Sequence, residues 1–145
     1  MGEFVEIKLD AAALNQFLRS LFPERGTEGM PHVDILSLGA AQLTLTPNDG
    51  HLRPGGIVSG PTLMTLADTA AYVLILGHIG EQPMAVTSSL SQHFLRPCPY
   101  APVIARASFI KLGRRQAIVD VRIFSAIDDE LVGQALVTYA LPKSG

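Results

Sequence analysis

The chain of 145 residues lacks tryptophan and contains a single cysteine, Cys98. One cysteine excludes an intrachain disulfide and a multi-cysteine metal site, and the flanking Pro97 and Pro99 favour an inert thiol over a nucleophile. The 4 histidines include no pair at the spacing of zinc ligands. We therefore expect neither a metal nor a cofactor.

Charged residues are also scarce, at 17%, and the formal net charge is −2. The chain has no dense basic stripe, which argues against nucleic acid as a partner. Its longest apolar run, around residues 70–76, is too short to span a membrane, and the N-terminal residues lack the pattern of a signal peptide. With the single cysteine, these absences favour a cytoplasmic protein that has no membrane partner.

Apolar residues are abundant instead, at 48%, and the mean hydropathy is +0.30. The length suits one domain, residues 1–145, with a proper core, and no repeat or linker divides it. So many apolar residues beside so few charges predict apolar surface that is buried between subunits. We therefore expect a homo-oligomer, either a dimer or a dimer of dimers.

Hydrophobic periodicity predicts an N-terminal helix at about residues 10–22, with Asp10 as its N-cap. A long apolar helix follows the Gly- and Pro-rich loop 47–58 and ends near Gly77 or Gly80. Six segments have strand patterns: 33–38, 41–46, 84–95, 102–112, 115–126 and 131–141. Adjacent strands with short turns favour an antiparallel sheet, and an apolar helix needs cover on most sides. The pattern predicts an α+β fold in which a curved antiparallel sheet wraps around a long central helix.

Asp68 is the carboxylate inside this otherwise apolar helix. No lysine or arginine lies between Arg53 and Arg96, so Asp68 has no cationic partner nearby in sequence. Burying an unpaired carboxylate is costly or forces a pKa shift, and a chain that keeps one there is expected to use it. The alternative is a structural carboxylate that bonds to hydroxyl groups such as those of Thr65 or Thr69.

The order of elements and several short motifs resemble the hot-dog fold, and specifically the PaaI-like acyl-CoA thioesterases of the phenylacetyl-CoA thioesterase type. The resemblance covers about residues 33–141 and rests on segments 66–70, 94–97, 112–114 and 132–139. Where the family commonly has His-Gly-Gly at the start of the helix, this chain has Ser59, Gly60 and Pro61. Arg53 stands where the family has an asparagine.

Thioester hydrolysis needs a polarised carbonyl group and an activated water or a nucleophile. Gly60 begins the helix, where backbone N–H groups are unpaired, so its amide is a candidate oxyanion donor. Asp68 is the candidate general base or nucleophile, and Thr69 is a candidate to hold water. Gly60 and Asp68 are ~12 Å apart along a helix, so one thioester cannot contact both in one chain. Two antiparallel helices that meet across a two-fold axis would place Gly60 of one chain beside Asp68 of the other, as the resemblance also implies.

Candidate substrate contacts are Ser59 and four arginines, because guanidinium groups suit the phosphates of CoA. These arginines are Arg53, Arg96, Arg114 and Arg115. The alternatives are a helix cap for Ser59 and solvated charges for the arginines.

These residues favour an acyl-CoA thioesterase that releases CoA and a carboxylic acid. A non-catalytic acyl-CoA or acyl-carrier binding protein on the same fold is the main alternative. A hot-dog dehydratase or hydratase is a third, but it usually requires a His/Asp pair on the helix, and this helix has no such histidine. The sequence leaves the acyl group, the pathway, and the choice of nucleophile or general base for Asp68 open.

Overall fold

The computed structural model describes residues 6–21 and 29–143. Within these ranges the chain forms two α-helices, nine strands and a short 3-10 helix at Asp49–His51. The helices are α1 (Ala11–Leu21) and α2 (Gly60–Ile79). The strands are β1 (His32–Ser37), β2 (Ala40–Leu45), β3 (Leu52–Arg53), β4 (Ile57–Val58), β5 (Val86–Phe94), β6 (Cys98–Pro99), β7 (Val103–Leu112), β8 (Gln116–Ser125) and β9 (Leu131–Ala140).

The larger sheet has six antiparallel strands in the order β1-β2-β7-β8-β9-β5. Strands β7, β8 and β9 have 10 residues each and follow one another through tight turns. Strand β5 lies at one edge of this sheet, beside β9, and β1 lies at the other edge. A second sheet joins the short strands β3, β4 and β6.

Helix α2 is the centre of the fold. Its apolar residues are distributed around its whole circumference, and 11 of its 20 residues are buried. By length and composition α2 could cross a membrane, since an 18-residue stretch of it has a mean hydropathy of 1.4. However, 61% of this stretch is buried inside the protein. Every strand of the larger sheet contacts α2, so the sheet supplies the cover that such a helix needs. Gly80, at φ +90°, ends the helix in a backbone conformation that favours glycine.

The fold expected from the sequence is confirmed. Each of the six expected strands is present, with ends within two residues of the expected ones. Helix α1 begins after Asp10, whose Oδ1 accepts a hydrogen bond of 2.9 Å from the N–H of Ala13; the last residue of the expected range, 22, lies outside the described residues. The sequence did not reveal β3, β4 and β6, because two-residue strands in Gly- and Pro-rich loops have no periodicity to detect.

Asn15 ties α1 to the sheet. Its side-chain oxygen accepts a hydrogen bond of 2.8 Å from the N–H of Val33, and its side-chain nitrogen donates one of 2.9 Å to the carbonyl oxygen of the same residue. One side chain therefore satisfies both backbone groups at the start of β1.

We predict that Asn15→Ala lowers the free energy of unfolding by about 1–3 kcal/mol, because it leaves two partly buried backbone groups without partners. Chemical denaturation measures the change. Gln16→Ala, on the exposed face of the same helix, is the matched control and should change stability by less than about 0.5 kcal/mol. Equal effects of the two substitutions would contradict the anchoring role of Asn15.

Candidate active site

Two hydroxyl groups hold the carboxylate of Asp68. The Thr87 hydroxyl donates a hydrogen bond of 2.6 Å to Oδ1 of Asp68, and the Tyr139 hydroxyl donates one of 2.9 Å to the same oxygen. Thr87 and Tyr139 are directly opposite each other in the ladder between β5 and β9. Because both side chains point to the face of the sheet that covers α2, they meet the partly buried carboxylate from one side.

Asp68 therefore has hydroxyl partners, as in the structural alternative, although Thr65 is not one of them: the Thr65 hydroxyl donates to the carbonyl oxygen of Pro61. Among the described residues no Lys, Arg or His forms an ion pair with Asp68, and none donates a hydrogen bond to its Oδ2. One oxygen is thus fixed by the protein and the other is available to water or a ligand.

Tyr139 is a permanent hydrogen-bond donor at this site. Burial, above all, raises the pKa of its phenol well beyond the ordinary value; the Thr87 hydroxyl opposes this rise in pKa, and the negative charge of Asp68 adds to it. The ring also stacks on that of Tyr72, with 6.0 Å between centroids. The phenol stays protonated across the physiological pH range and keeps Oδ1 of Asp68 in place.

Gly60 begins α2 with a free backbone donor. Ser59 is the N-cap, and its hydroxyl accepts a hydrogen bond of 3.3 Å from the N–H of Thr62, so the capping alternative for Ser59 is confirmed. No described residue accepts a hydrogen bond from the Gly60 N–H. A methyl group at Gly60 would make only an ordinary contact, 3.6 Å from the ring of Phe94. Packing within the chain therefore does not require glycine at position 60.

The candidate residues are divided between separate clefts of one chain. Asp68 and Thr69 line a cleft of about 490 Å³ together with Thr87 and Tyr139. Gly60 instead lines a cleft of about 350 Å³, which also contains Arg53 and Arg96. This division agrees with the ~12 Å between the two positions along the helix. The chain alone does not bring the expected oxyanion donor and the expected base together.

The four arginines differ in their surroundings. The side chain of Arg53 donates to the carbonyl oxygen of Pro54, and that of Arg96 forms an exposed ion pair of 2.6 Å with Glu130. Arg114 and Arg115 are exposed in the turn between β7 and β8. That turn lies at the Tyr139 end of the sheet, because the carbonyl oxygen of Arg115 accepts a hydrogen bond from Leu141.

Other chemically active groups do not extend the site. Burial raises the pKa of the Cys98 thiol to about 11, so the thiol stays protonated at neutral pH and is a poor nucleophile. The ring of His51 accepts a hydrogen bond from the N–H of Asn48 in the loop before β3. In the described ranges, no three His, Cys, Asp or Glu side chains converge in a way that could hold a metal ion.

Comparisons with known proteins give a consistent result. Residues 55–138 match the sequence profile of the thioesterase superfamily. A provisionally named thioesterase from Silicibacter sp. TM1040 is 34% identical and superposes with a TM-score of 0.86, covering 96% of both chains. A variant of the phenylacetic acid degradation protein PaaI from Thermus thermophilus is 28% identical, with a TM-score of 0.68 over 77% of this chain and 93% of that one. A provisionally named esterase from Thermoplasma acidophilum is 28% identical over 129 residues, which are 88% of this chain and 89% of the relative.

We predict that Tyr139→Phe lowers the free energy of unfolding by about 1.5–3 kcal/mol, because the lost hydrogen bond goes to a charged group. The same substitution in an Asp68→Ala background should cost clearly less, and a double-mutant cycle measured by chemical denaturation gives the difference. Tyr100→Phe is the control, since the Tyr100 hydroxyl makes only an exposed bond of 3.4 Å to Asp49. Additive effects of the two substitutions would exclude a coupling between Tyr139 and Asp68.

Proposed function

The chain belongs to the thioesterase superfamily and has the hot-dog fold of its PaaI-like members, and on that premise we propose that it hydrolyses acyl-CoA to CoA and a carboxylic acid. Asp68 of one subunit and Gly60 of a second subunit form each active site. The proposal rests above all on the carboxylate of Asp68: two hydroxyl groups fix its Oδ1, and its Oδ2 is left open to a cleft.

The proposed reaction uses two groups at opposite ends of α2. The Gly60 N–H donates a hydrogen bond to the carbonyl oxygen of the thioester, where negative charge develops. Asp68 either removes a proton from an attacking water or attacks the carbonyl carbon itself. By either route the C–S bond breaks, the sulfur of CoA leaves and takes up a proton, and an oxygen atom of water ends in the carboxylic acid. Thr69, which lines the same cleft as Asp68, would hold that water.

A second subunit is required by this reaction, and several features support one. Strand β5 lies at an edge of the sheet, and no strand within residues 6–21 and 29–143 pairs with its outer side, which is a ready template for another strand. Large apolar side chains are exposed on and beside β5 and on the adjacent surface of α2: Met64, Met84, Val86, Phe94 and Leu95. Antiparallel pairing of two copies along β5 would cover this surface and bring each Gly60 towards the other Asp68.

In such a dimer the four arginines would bind the nucleotide part of CoA. Arg53 and Arg96 lie at the Gly60 end, and Arg114 and Arg115 lie at the Asp68 end of the sheet. The proposed pairing therefore brings cations from both subunits to the entrance of each site. Their guanidinium groups suit phosphate oxygens, although the pair between Arg96 and Glu130 would have to open.

We predict that Asp68→Asn lowers kcat for acyl-CoA hydrolysis by at least ~10², because the amide neither accepts a proton from water nor attacks the carbonyl carbon. Release of free thiol from a panel of acyl-CoAs measures the loss. The amide oxygen can still accept hydrogen bonds from Thr87 and Tyr139, so the variant should remain folded. Asp34→Asn is the matched control, because Oδ2 of Asp34 also accepts a threonine hydroxyl at 2.6 Å, that of Thr44, on an exposed part of the sheet.

Wild-type kcat in a folded Asp68→Asn protein would contradict the assignment of Asp68. A wild-type protein that binds acyl-CoA and releases no thiol from any member of the panel would instead support the binding-protein alternative.

A further inference from the structure

The larger sheet carries a cleft of about 440 Å³ on its outer face, which points away from α2. Residues directly opposite each other across a ladder share a face, so strand register defines two rows of side chains that cross β1, β2, β7 and β8 there. The first row has the longer side chains: Ile35, Gln42, Arg106 and Arg122. The second row is short until its last member: Ser37, Ala40, Ser108 and Asp120. The short side chains leave a depression beside the long ones, which we call the outer cleft.

Two positive charges meet in the outer cleft. Arg106 and Arg122 are directly opposite each other in the ladder between β7 and β8, and like charges at such positions repel each other. Nε of Arg106 donates a hydrogen bond of 3.2 Å to Oε1 of Gln42, and its guanidinium group lies 4.9 Å from the ring centroid of Phe124. Nε of Arg122 donates one of 3.4 Å to Oδ2 of Asp120. The sheet therefore holds two cations side by side instead of separating them.

The terminal nitrogens of both guanidinium groups remain available. Neither Arg106 nor Arg122 donates a further hydrogen bond to the part of the chain that the structure describes. In the same part of the chain, no carboxylate forms an ion pair with Arg106. A guanidinium group presents its terminal N–H groups as a fork that matches the oxygens of an anion. The outer cleft thus offers two such forks on one wall.

Asp120 is the carboxylate that lines the outer cleft, and its oxygens already have donors. The side-chain amide of Gln134 donates a hydrogen bond of 2.7 Å to Oδ1 of Asp120, and Arg122 donates to Oδ2. Asp120 therefore orients Arg122 and offsets one of the two positive charges. The positive charge of Arg106 is left without a counterion from the residues that line the cleft.

We propose that the outer cleft binds a phosphate group, either free or on an organic molecule, between the terminal nitrogens of Arg106 and Arg122 and the hydroxyl group of Ser108. A phosphate group with close to two negative charges and three free oxygens accepts hydrogen bonds from both forks and screens the two cations from each other. A monocarboxylate has one charge and two oxygens, so it satisfies one fork and leaves the other without an anion. The short side chains of Ala40 and Ser108 provide the room.

This site is independent of the proposed hydrolysis. The groups that hold Asp68, Thr87 and Tyr139, lie on the face of the sheet that covers α2, whereas the outer cleft lies on the opposite face. Failure of one proposal therefore leaves the other intact.

The first test follows the Nε–H signals of Arg106 and Arg122 in NMR spectra of the nitrogen-labelled wild-type protein, with signals assigned from arginine variants. Inorganic phosphate and glycerol 3-phosphate are added separately, with acetate at equal ionic strength as the comparison. We expect both phosphates to shift both signals with one saturable Kd on the order of 1 mM, and acetate to bind at least about tenfold more weakly. Tighter binding of glycerol 3-phosphate than of inorganic phosphate would identify an organic phosphate as the ligand, and equal binding would identify the phosphate group alone. Shifts that do not saturate, or an equal response to acetate, would overturn the proposal.

The second test changes the charge and the shape of the outer cleft separately. Arg106→Gln should raise the Kd for inorganic phosphate, read at the Arg122 signal, by about tenfold or more. Ser108→Leu keeps both cations and fills the depression, so it should raise the Kd by a similar factor. Arg19→Gln, at an exposed position on α1, makes the same change of charge as Arg106→Gln and should leave the Kd within about twofold. Equal effects of the two arginine substitutions would show general charge attraction and overturn the phosphate site.

Sedimentation and thermal melting accompany both tests. Arg106 and Ser108 are exposed on the outer face, so both variants should melt close to the wild-type temperature and keep the mass of the wild-type assembly. A smaller assembly in Ser108→Leu, together with wild-type arginine signals that ignore phosphate, would show that a second copy of the chain covers this face. That result would replace the phosphate site with a contact between copies.

Discussion

The burial of one apolar helix inside one sheet is the constraint on which the rest of this structure depends. Buried apolar residues lie around most of helix α2, and all six strands of the larger sheet pack against it. A carboxylate on such a helix is tolerated only with hydrogen-bond donors nearby. Neighbouring strands β5 and β9 supply them, since Thr87 and Tyr139 face each other across the ladder and both reach Asp68. The packing that stabilises the fold thus also orients the candidate catalytic group.

The same helix explains why one chain is not a complete site. Its N-terminus offers the Gly60 N–H and its middle offers Asp68, and helix geometry separates them by ~12 Å. The structure adds that the two lie in different clefts, which a single thioester group does not bridge. Edge strand β5, with its exposed apolar neighbours, is the surface through which a second copy would close this gap. In the proposed mechanism, oligomer formation is therefore part of the chemistry rather than an addition to it.

The sequence predicted what depends on local pattern. Asp68 and Gly60 were identifiable because a charge in an apolar helix and a glycine at a helix start are visible in one short segment. Thr87 and Tyr139 were not, since only strand register brings residues so distant in sequence to one carboxylate, and hydroxyl residues are common in strands. Leu18 and Leu21 could be assigned to the apolar face of α1, but their place beside Asp68 follows from the packing of α1 near α2. In each case the missing information is which residues, distant in sequence, contact each other in the fold.

The most direct test of a site shared between two subunits mixes two inactive variants, Asp68→Asn and Gly60→Pro. Proline suits the first position of a helix, a Cβ there makes only an ordinary contact with Phe94, and the substitution removes the N–H that donates to the oxyanion in the proposed mechanism. Carrying different affinity tags, the two can be allowed to exchange subunits, and heterodimers can be verified by tandem purification. Each heterodimer then holds one intact site of two. Because about half of randomly formed dimers are mixed, an equal mixture should recover about a quarter of wild-type activity. Verified heterodimers with no more activity than the parent variants, or a stable and active wild-type monomer in sedimentation, would contradict the shared site.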